Sequence, residues 1–279
     1  MIWRCRDRVF DFANGPLIMG IVNVTPDSFS DGGRYLEPAA AIARIRELTA
    51  LGADLIDLGG ESTRPGSAPV AAEEQLRRLM PVLDAIGGDP ALCISVDTTN
   101  AAVARRALEA GARIVNDVTG LGDPEMAGAV AASGAGLVVM HMQGTPATMQ
   151  TRPRYDDVVH EVRDHLAERG ARARAAGVPE DAIAIDPGIG FGKAIAHNYE
   201  LLARLEELGT LGRPVLIGVS RKSFLGRALE LPADQRLEAG LAATAIAVFH
   251  GARIVRTHDV TATIRAVHIA ARSREARRS

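Results

Sequence analysis

The sequence predicts one (β/α)₈ barrel, because eight short apolar segments alternate with segments that have helical spacing. A recurring junction supports this alternation: a helical pattern ends at a glycine, and a β-branched or leucine-rich run follows it. The junction occurs as LGADLIDLGG (51–60), AGARIVNDVTG (110–120), SGAGLVVMHMQG (133–144) and HGARIVRTHDV (250–260). A length of 279 residues is normal for a single barrel of this class.

The other four predicted strands are continuous apolar runs, as strands covered on both faces require. They are LIMGIVN (17–23), LCISVD (92–97), AIAIDPG (182–188) and PVLIGVS (214–220). Helical spacing is clear after the first of them, where Ile42, Ile45 and Leu48 recur every three residues. It is also clear in DQRLEAGLAATAIAVFH (234–250), which precedes the last strand.

Three segments divide the chain in this prediction. Residues 1–15 form an extension or hairpin that closes the bottom of the barrel, residues 16–272 form the barrel, and residues 273–279 form a solvated basic tail. No linker or low-complexity break interrupts the middle segment, so a second domain is not expected.

The charge balance and the apolar runs exclude several classes of protein. A formal net charge of −2 and a pI near 6.4 argue against nucleic-acid binding, which usually needs a basic surface. No apolar run approaches the roughly 20 residues that span a bilayer, and charges break the first twelve residues before any leader-like segment forms. Two cysteines do not make a disulfide framework. We therefore expect a cytoplasmic protein that does not bind membranes.

Polar side chains accumulate at the carboxyl ends of the predicted strands, where barrels of this architecture carry their active sites. They are Asn23, Asp57, Asp97, Asn116, Asp117, His141, Asp186, Ser220, Arg221, Lys222, Arg256 and His258. Any one of them could simply cap the following helix. Eight strand ends that converge on one rim favour a binding site instead.

The residue types at this rim indicate recognition rather than covalent catalysis. Asp97, Asn116, Asp186 and Lys222 are hydrogen-bonding groups without an evident nucleophile–base pair. Such a set suits a flat heterocycle with an ordered donor and acceptor edge, since a carboxylate can accept two parallel bonds from an amino-pyrimidinone.

A second group at the rim suits an anion. Arg64, Arg256 and His258, with the helix after THDV (257–260), form a candidate phosphate site near the last strand. The side-chain carbonyl of Asn23 is a hard-oxygen ligand, compatible with a Mg²⁺ ion held mainly by phosphate and water.

Eight ordered motifs resemble those of the dihydropteroate synthase family. They are GIVNVTPDSFSDGG, GADLIDLGGESTRPG, ISVDTT, IVNDVTG, VVMHMQGTP, IDPGIGFGK, GVSRKSFLG and RTHDV, which extend from about residue 17 to about residue 260. The resemblance implies a (β/α)₈ barrel that joins 4-aminobenzoate to 6-hydroxymethyl-7,8-dihydropterin diphosphate and releases diphosphate with Mg²⁺. It also implies a dissociative substitution, in which diphosphate leaves before the amine attacks, and a homodimer.

The resemblance also assigns roles to residues that match the family motifs. Pterin contacts fall on Asp97, Asn116, Met140, Asp186, Phe191, Lys222 and Arg256. Diphosphate contacts fall on Asn23, Thr63, Arg64, Arg256 and His258, with Asn23 also serving the metal. Aminobenzoate contacts fall on Phe29, Thr63, Pro65, Ser220, Lys222 and Ser223. The catalytic residues implied are Asn23, Asp31, Asp97, Asp186 and Lys222, with the three aspartates supplying negative charge beside a pterin cation.

Two other functions remain open at this point. A pterin-dependent methyltransferase has a similar pterin-holding barrel, but the complete TPDSFSDGG and SRKS elements count against it. A non-catalytic pterin-binding paralogue is the second alternative, and the presence of Asn23, Asp31 and Lys222 counts against that.

Overall fold

The strand segments of the sequence fold as predicted, into the wall of a barrel. The computed structural model describes residues 1–25, 38–62 and 66–278. The strands are β1 (Ile2–Cys5), β2 (Arg8–Asp11), β3 (Leu17–Asn23), β4 (Leu55–Gly59), β5 (Ile94–Asp97), β6 (Ile114–Asp117), β7 (Gly136–Met140), β8 (Ile183–Asp186), β9 (Leu216–Gly218) and β10 (Ile254–Thr257).

Helices connect successive barrel strands and cover the outside of the sheet. They are α1 (Pro38–Ala50), α2 (Ala72–Ile86), α3 (Ala101–Glu109), α4 (Met126–Ser133), α5 (Val158–Ala175), α6 (Ile195–Ala203), α7 (Ser223–Leu229), α8 (Leu237–Phe249) and α9 (Val260–Arg278). Short 3₁₀ turns occupy Phe12–Asn14, Glu180–Ala182, Leu205–Leu211 and Ala233–Gln235. The four junction glycines at positions 52, 111, 134 and 251 all have positive φ, between 67° and 112°, which explains why glycine recurs there.

The eight strands β3 to β10 form one parallel sheet in the order β8-β7-β6-β5-β4-β3-β10-β9. The two ends of this sheet meet, because Ile185 of β8 forms a parallel bridge with Val215, just before β9. The backbone N–H of Ile185 donates to the carbonyl of Pro214 at 3.0 Å. The sheet therefore closes on itself, and the predicted (β/α)₈ barrel is confirmed.

The N-terminal hairpin closes the bottom of this barrel, as predicted. β1 and β2 pair antiparallel, and Trp3, Cys5 and Phe12 are buried. They pack against the amino-terminal ends of the barrel strands, including Met19 and Ile114. The indole N–H of Trp3 donates to the carbonyl of Ala182 at 3.0 Å, which fixes the hairpin to the segment before β8.

The basic segment at the end of the chain belongs to a helix. α9 continues to Arg278, so residues predicted as a separate tail form its last turns, while Ser279 lies outside the described residues. None of the helices in the described part of the chain is long and apolar enough to cross a membrane.

Candidate active site

Strand register brings the predicted pterin-binding residues to one end of the barrel. Asp97 of β5 lies opposite Asn116 of β6. Met140 of β7 lies opposite Asp186 of β8. All four side chains are buried. The carboxyl ends of four neighbouring strands therefore place two carboxylates, an amide and a thioether at one rim.

Arg256 on β10 joins two of the buried carboxylates. Its Nε donates to Oδ2 of Asp57 at 2.6 Å, and its Nη2 donates to Oδ2 of Asp97 at 2.8 Å. Burial raises the pKa of Asp97 to about 7, and the negative charge of Asp57 adds to this rise while Arg256 opposes it. Arg256 therefore holds together two carboxylates that would otherwise repel each other inside the barrel.

Two buried acceptors at this rim have no hydrogen-bond partner within the described residues. They are Oδ1 of Asp97 and Oδ1 of Asn116. An unpaired buried acceptor costs about 1–3 kcal/mol, so native proteins rarely keep one without a ligand or water to satisfy it. The rim is therefore suited to a ligand that offers N–H donors to these two oxygens.

The loop after β8 adds a carboxylate and a cation. Oδ1 of Asp186 accepts the backbone N–H of Gly188 at 2.7 Å, and burial raises the pKa of this carboxyl while Lys222 opposes the rise. The ammonium of Lys222 donates to the carbonyl of Ile189 and lies 4.2 Å from the centroid of the Phe191 ring. Lys222 and Phe191, two of the residues that the resemblance assigns to the pterin, thus lie together beside Asp186.

A second lysine, Lys193, is buried within the same loop and connects it to the segment after β7. Its ammonium lies 2.9 Å from Nδ1 of His141, and it donates to the carbonyls of Phe191 at 2.9 Å and His141 at 3.3 Å. Three acceptors match its three N–H donors. The pKa of His141 is lowered to about 2, mainly by burial and then by Lys193, so this ring stays neutral. His141, one of the polar strand ends, therefore has a structural role beside Lys193.

The loops after β9 and β10 meet beside this group. Oγ of Ser220 lies 3.0 Å from Nδ1 of His258, and Arg221 donates to Asp259 at 2.8 Å. Arg221 has a φ of 59°, a left-handed conformation that the ion pair with Asp259 helps to hold. Ser223 begins α7 directly after Lys222.

Asn23 ends β3, opposite Gly59 of β4. A Cβ atom at position 59 would lie 3.2 Å from Oδ1 of Asn23, so glycine leaves room for this amide. The remaining predicted residues lie outside the described residues. They are Phe29, Asp31, Thr63, Arg64 and Pro65.

The sequence interpretation missed two residues that organise the rim. Asp57 was counted among the polar strand ends but received no role, although a charged residue inside the apolar run LIDLG is itself a signal. Lys193 carried no signal beyond its place after the glycine-rich GIGFG. Both side chains are buried, and each forms hydrogen bonds with three partner atoms.

Replacing Lys222 by methionine is expected to raise the free energy of unfolding near neutral pH. Burial lowers the pKa of Lys222 from 10.5 to about 7 in the folded protein. The unfolded chain therefore binds this proton more tightly than the folded protein. Protonation of Lys222 lowers the free energy of unfolding, and this loss grows as the pH falls from about 10 to about 7 and then stays constant. We expect a gain of about 1 kcal/mol or more at pH 7 that vanishes above pH 10, measured by urea denaturation. A gain that did not depend on pH would contradict this account.

Comparison with known proteins identifies the family. Residues 19–258 match the family model described as pterin binding enzyme. The dihydropteroate synthase of Escherichia coli (strain K12) is 46% identical over 254 residues, which cover 91% of this chain and 90% of the relative.

Two solved structures share the whole fold. The Xanthomonas albilineans dihydropteroate synthase with 4-aminobenzoic acid has a TM-score of 0.89 at 45% identity, and the match covers 96% of each chain. The Burkholderia cenocepacia dihydropteroate synthase complexed with 7,8-dihydropteroate has a TM-score of 0.88 at 43% identity, covering 99% of this chain and 98% of that one. The chain therefore belongs to the dihydropteroate synthase family of pterin binding enzymes.

Proposed function

We propose that this protein condenses 6-hydroxymethyl-7,8-dihydropterin diphosphate with 4-aminobenzoate, giving 7,8-dihydropteroate and diphosphate for folate biosynthesis. The observation that carries the proposal is a pair of buried acceptors beside the carboxylate of Asp186, on Asp97 and Asn116, which have no hydrogen-bond partner among the described residues. The pyrimidinone part of a dihydropterin carries amino and ring N–H donors that such oxygens can accept. Similar proteins solved with 4-aminobenzoic acid and with 7,8-dihydropteroate support both halves of the reaction.

The rim residues contribute different contacts to the pterin. Asp97, Asn116 and Asp186 accept hydrogen bonds from the pterin edge, and the ammonium of Lys222 donates to a ring acceptor. Met140 and Phe191 supply apolar walls, and Arg256 lies against the ring. The buried position of these groups strengthens each polar contact, because little water competes for it.

The reaction proceeds by dissociation in this proposal. The bond between the methylene carbon and the diphosphate oxygen breaks first, and the electron pair leaves with diphosphate. The positive charge left on the methylene spreads into the pterin ring, where Asp97, Asp186 and Asp31 stabilise it electrostatically. The aniline nitrogen of 4-aminobenzoate then attacks the methylene carbon and passes a proton to the released diphosphate or to water, so no covalent enzyme intermediate is required.

Diphosphate departs toward a second group of residues. We assign it to Asn23, Arg256 and His258, together with Thr63 and Arg64. The aminobenzoate lies beside Ser220, Lys222 and Ser223, with Phe29, Thr63 and Pro65 completing its slot. The contact between Ser220 and His258 supports this arrangement, since it joins the loops that carry the two groups.

Mg²⁺ fits this site only together with the substrate. Within the described residues, no cluster of three or more histidine, cysteine, aspartate or glutamate side chains could hold a metal ion. Asn23 offers a single amide oxygen at the rim, which suits a Mg²⁺ ion whose other ligands are diphosphate oxygens and water. The ion, when bound, would neutralise charge on the leaving diphosphate.

A cytoplasmic location and a homodimeric assembly complete the proposal. The location rests on the pattern of charges and apolar runs in the sequence, and the homodimer rests on the family resemblance. Sedimentation analysis of the purified chain would check the assembly. A monomer would contradict the second part without affecting the assigned reaction.

The condensation is tested by measuring diphosphate release from the dihydropterin diphosphate with Mg²⁺, with and without 4-aminobenzoate. Release that depends on 4-aminobenzoate, accompanied by 7,8-dihydropteroate, is the expected result. Pterin binding without such turnover would contradict the proposal and favour a methyltransferase or a non-catalytic pterin-binding protein.

A further inference from the structure

Asp57 is linked by its side chain to several strands of the barrel. It is fully buried, near the middle of β4. Its Oδ1 accepts the hydroxyl of Ser95 at 2.7 Å. Its Oδ2 accepts both Nδ2 of Asn116, at 3.0 Å, and Nε of Arg256, at 2.6 Å. One carboxylate therefore connects β4 to three other strands of the barrel.

These bonds determine which way the amide of Asn116 faces. A carboxylate can only accept, so the NH₂ group of Asn116 must turn toward Asp57. The amide oxygen is then on the opposite side, and it is one of the two buried acceptors without a partner among the described residues. With a donor at position 57 instead, the amide could turn around and offer NH₂ in place of oxygen.

Asp57 influences the second acceptor through Arg256. The guanidinium gives Nε to Asp57 and Nη2 to Oδ2 of Asp97. This leaves Oδ1 of Asp97 as the other acceptor that no described residue satisfies. The orientation of both acceptors, Oδ1 of Asn116 and Oδ1 of Asp97, therefore depends on the carboxylate of Asp57.

We propose that Asp57 is a positioning residue that makes this wall of the pocket present acceptors only, so that it selects a ligand edge made of N–H donors. The inference rests on the proposed function for the identity of that ligand, the dihydropterin diphosphate. Asp57 acts through Asn116 and Arg256, which hold the ligand in that proposal.

The test is the variant Asp57→Asn, compared with Asp117→Asn as a matched control. Asp117, to which the family resemblance assigns no substrate contact, is also fully buried, on β6 next to Asn116. Among the described residues its carboxylate accepts from Thr119 and Leu121. For Asp57→Asn we expect the dissociation constant of the dihydropterin diphosphate, measured by calorimetry, to rise about 10-fold to 100-fold, because an acceptor is exchanged for a donor and Arg256 loses its counter-charge. The KM for 4-aminobenzoate should change less than about threefold, and Asp117→Asn should keep wild-type affinity.

Exchanging the residues at positions 57 and 116 distinguishes a positioning role of Asp57 from a general loss of structure. In the double variant Asp57→Asn/Asn116→Asp, the amide at 57 can donate to the carboxylate at 116, which still presents an acceptor to the ligand. We expect this variant to recover most of the affinity that Asp57→Asn loses.

The proposal is overturned if folded Asp57→Asn binds the dihydropterin diphosphate as tightly as the wild type, or if the swap restores nothing. Unfolding of both variants would also overturn it, since Asp57 would then serve the barrel itself. Pterin binding is measured without 4-aminobenzoate, so this test does not depend on turnover. The proposed reaction is contradicted by a different result, in which the wild type binds the pterin but forms no 7,8-dihydropteroate.

Discussion

Replacing Asp186 by alanine is expected to weaken binding of the dihydropterin diphosphate by about 100-fold or more, with a smaller effect on the affinity for 4-aminobenzoate. The side chain is buried, and it supplies a carboxylate beside the ammonium of Lys222. Its removal takes away a charged acceptor and leaves the cation without its partner. It also frees the backbone N–H of Gly188, which Asp186 accepts at 2.7 Å.

The variant Asp186→Asn separates these two effects. An asparagine can still accept the N–H of Gly188, but it has no charge to offer the pterin or Lys222. Calorimetry with the dihydropterin diphosphate should therefore place its affinity between those of the wild type and Asp186→Ala. If Asp186→Ala bound the dihydropterin diphosphate as tightly as the wild type, Asp186 would not be a pterin-binding residue.

Replacing Gly136 by alanine is expected to lower the free energy of unfolding by about 1–3 kcal/mol, the usual cost of overpacking a core. A Cβ atom at position 136 would lie 2.4 Å from Sγ of Cys5, on the hairpin that closes the barrel bottom. The hairpin would have to move away from the end of β7, and Trp3 and Phe12 would lose packing with it. Urea denaturation gives the size of the loss.

Two further variants make this prediction specific. Removing the sulfur in Gly136→Ala/Cys5→Ala should restore most of the lost stability, because the Cβ of Cys5 would be 3.3 Å away. The control Gly128→Ala, on α4, meets nothing within 4 Å and should leave stability unchanged or raise it by up to about 1 kcal/mol. Equal losses in Gly136→Ala and Gly128→Ala would show that the hairpin contact is not responsible.

The wall of the barrel could be predicted because its signals are local. The junction glycines, the apolar runs and the helical spacing each depend on residues close together in the chain, and all eight strands were placed from them. The polar rim followed from the same assignment, since parallel strands in a barrel end on one side. Ordered motifs then identified the family, which the comparisons confirm.

The roles of the loops around the site could not be predicted from local sequence patterns in the same way. Roles for Phe29, Asp31, Thr63 and Pro65 come from the family resemblance alone, whereas Arg64 was also assigned to an anion site from its charge. All five residues lie outside the described residues. The last helix shows a related difficulty. The segment 273–278, with three arginines, is equally compatible with a solvated tail and with the exposed end of a helix, and the structure has the helix.

By itself, the sequence determined the fold class, the positions of the strands and the set of polar residues at the rim. Only the tertiary structure decided which of these residues bind one another. Asp57 meets Asn116 across 59 positions of the chain and Arg256 across 199. The physical reason is that burial and strand spacing are encoded locally, whereas the choice of partner for a buried carboxylate depends on strand register and on competition among several nearby donors. Lys193 illustrates the same limit, because two of its three acceptor atoms belong to His141, which lies 52 positions away in the chain, after β7.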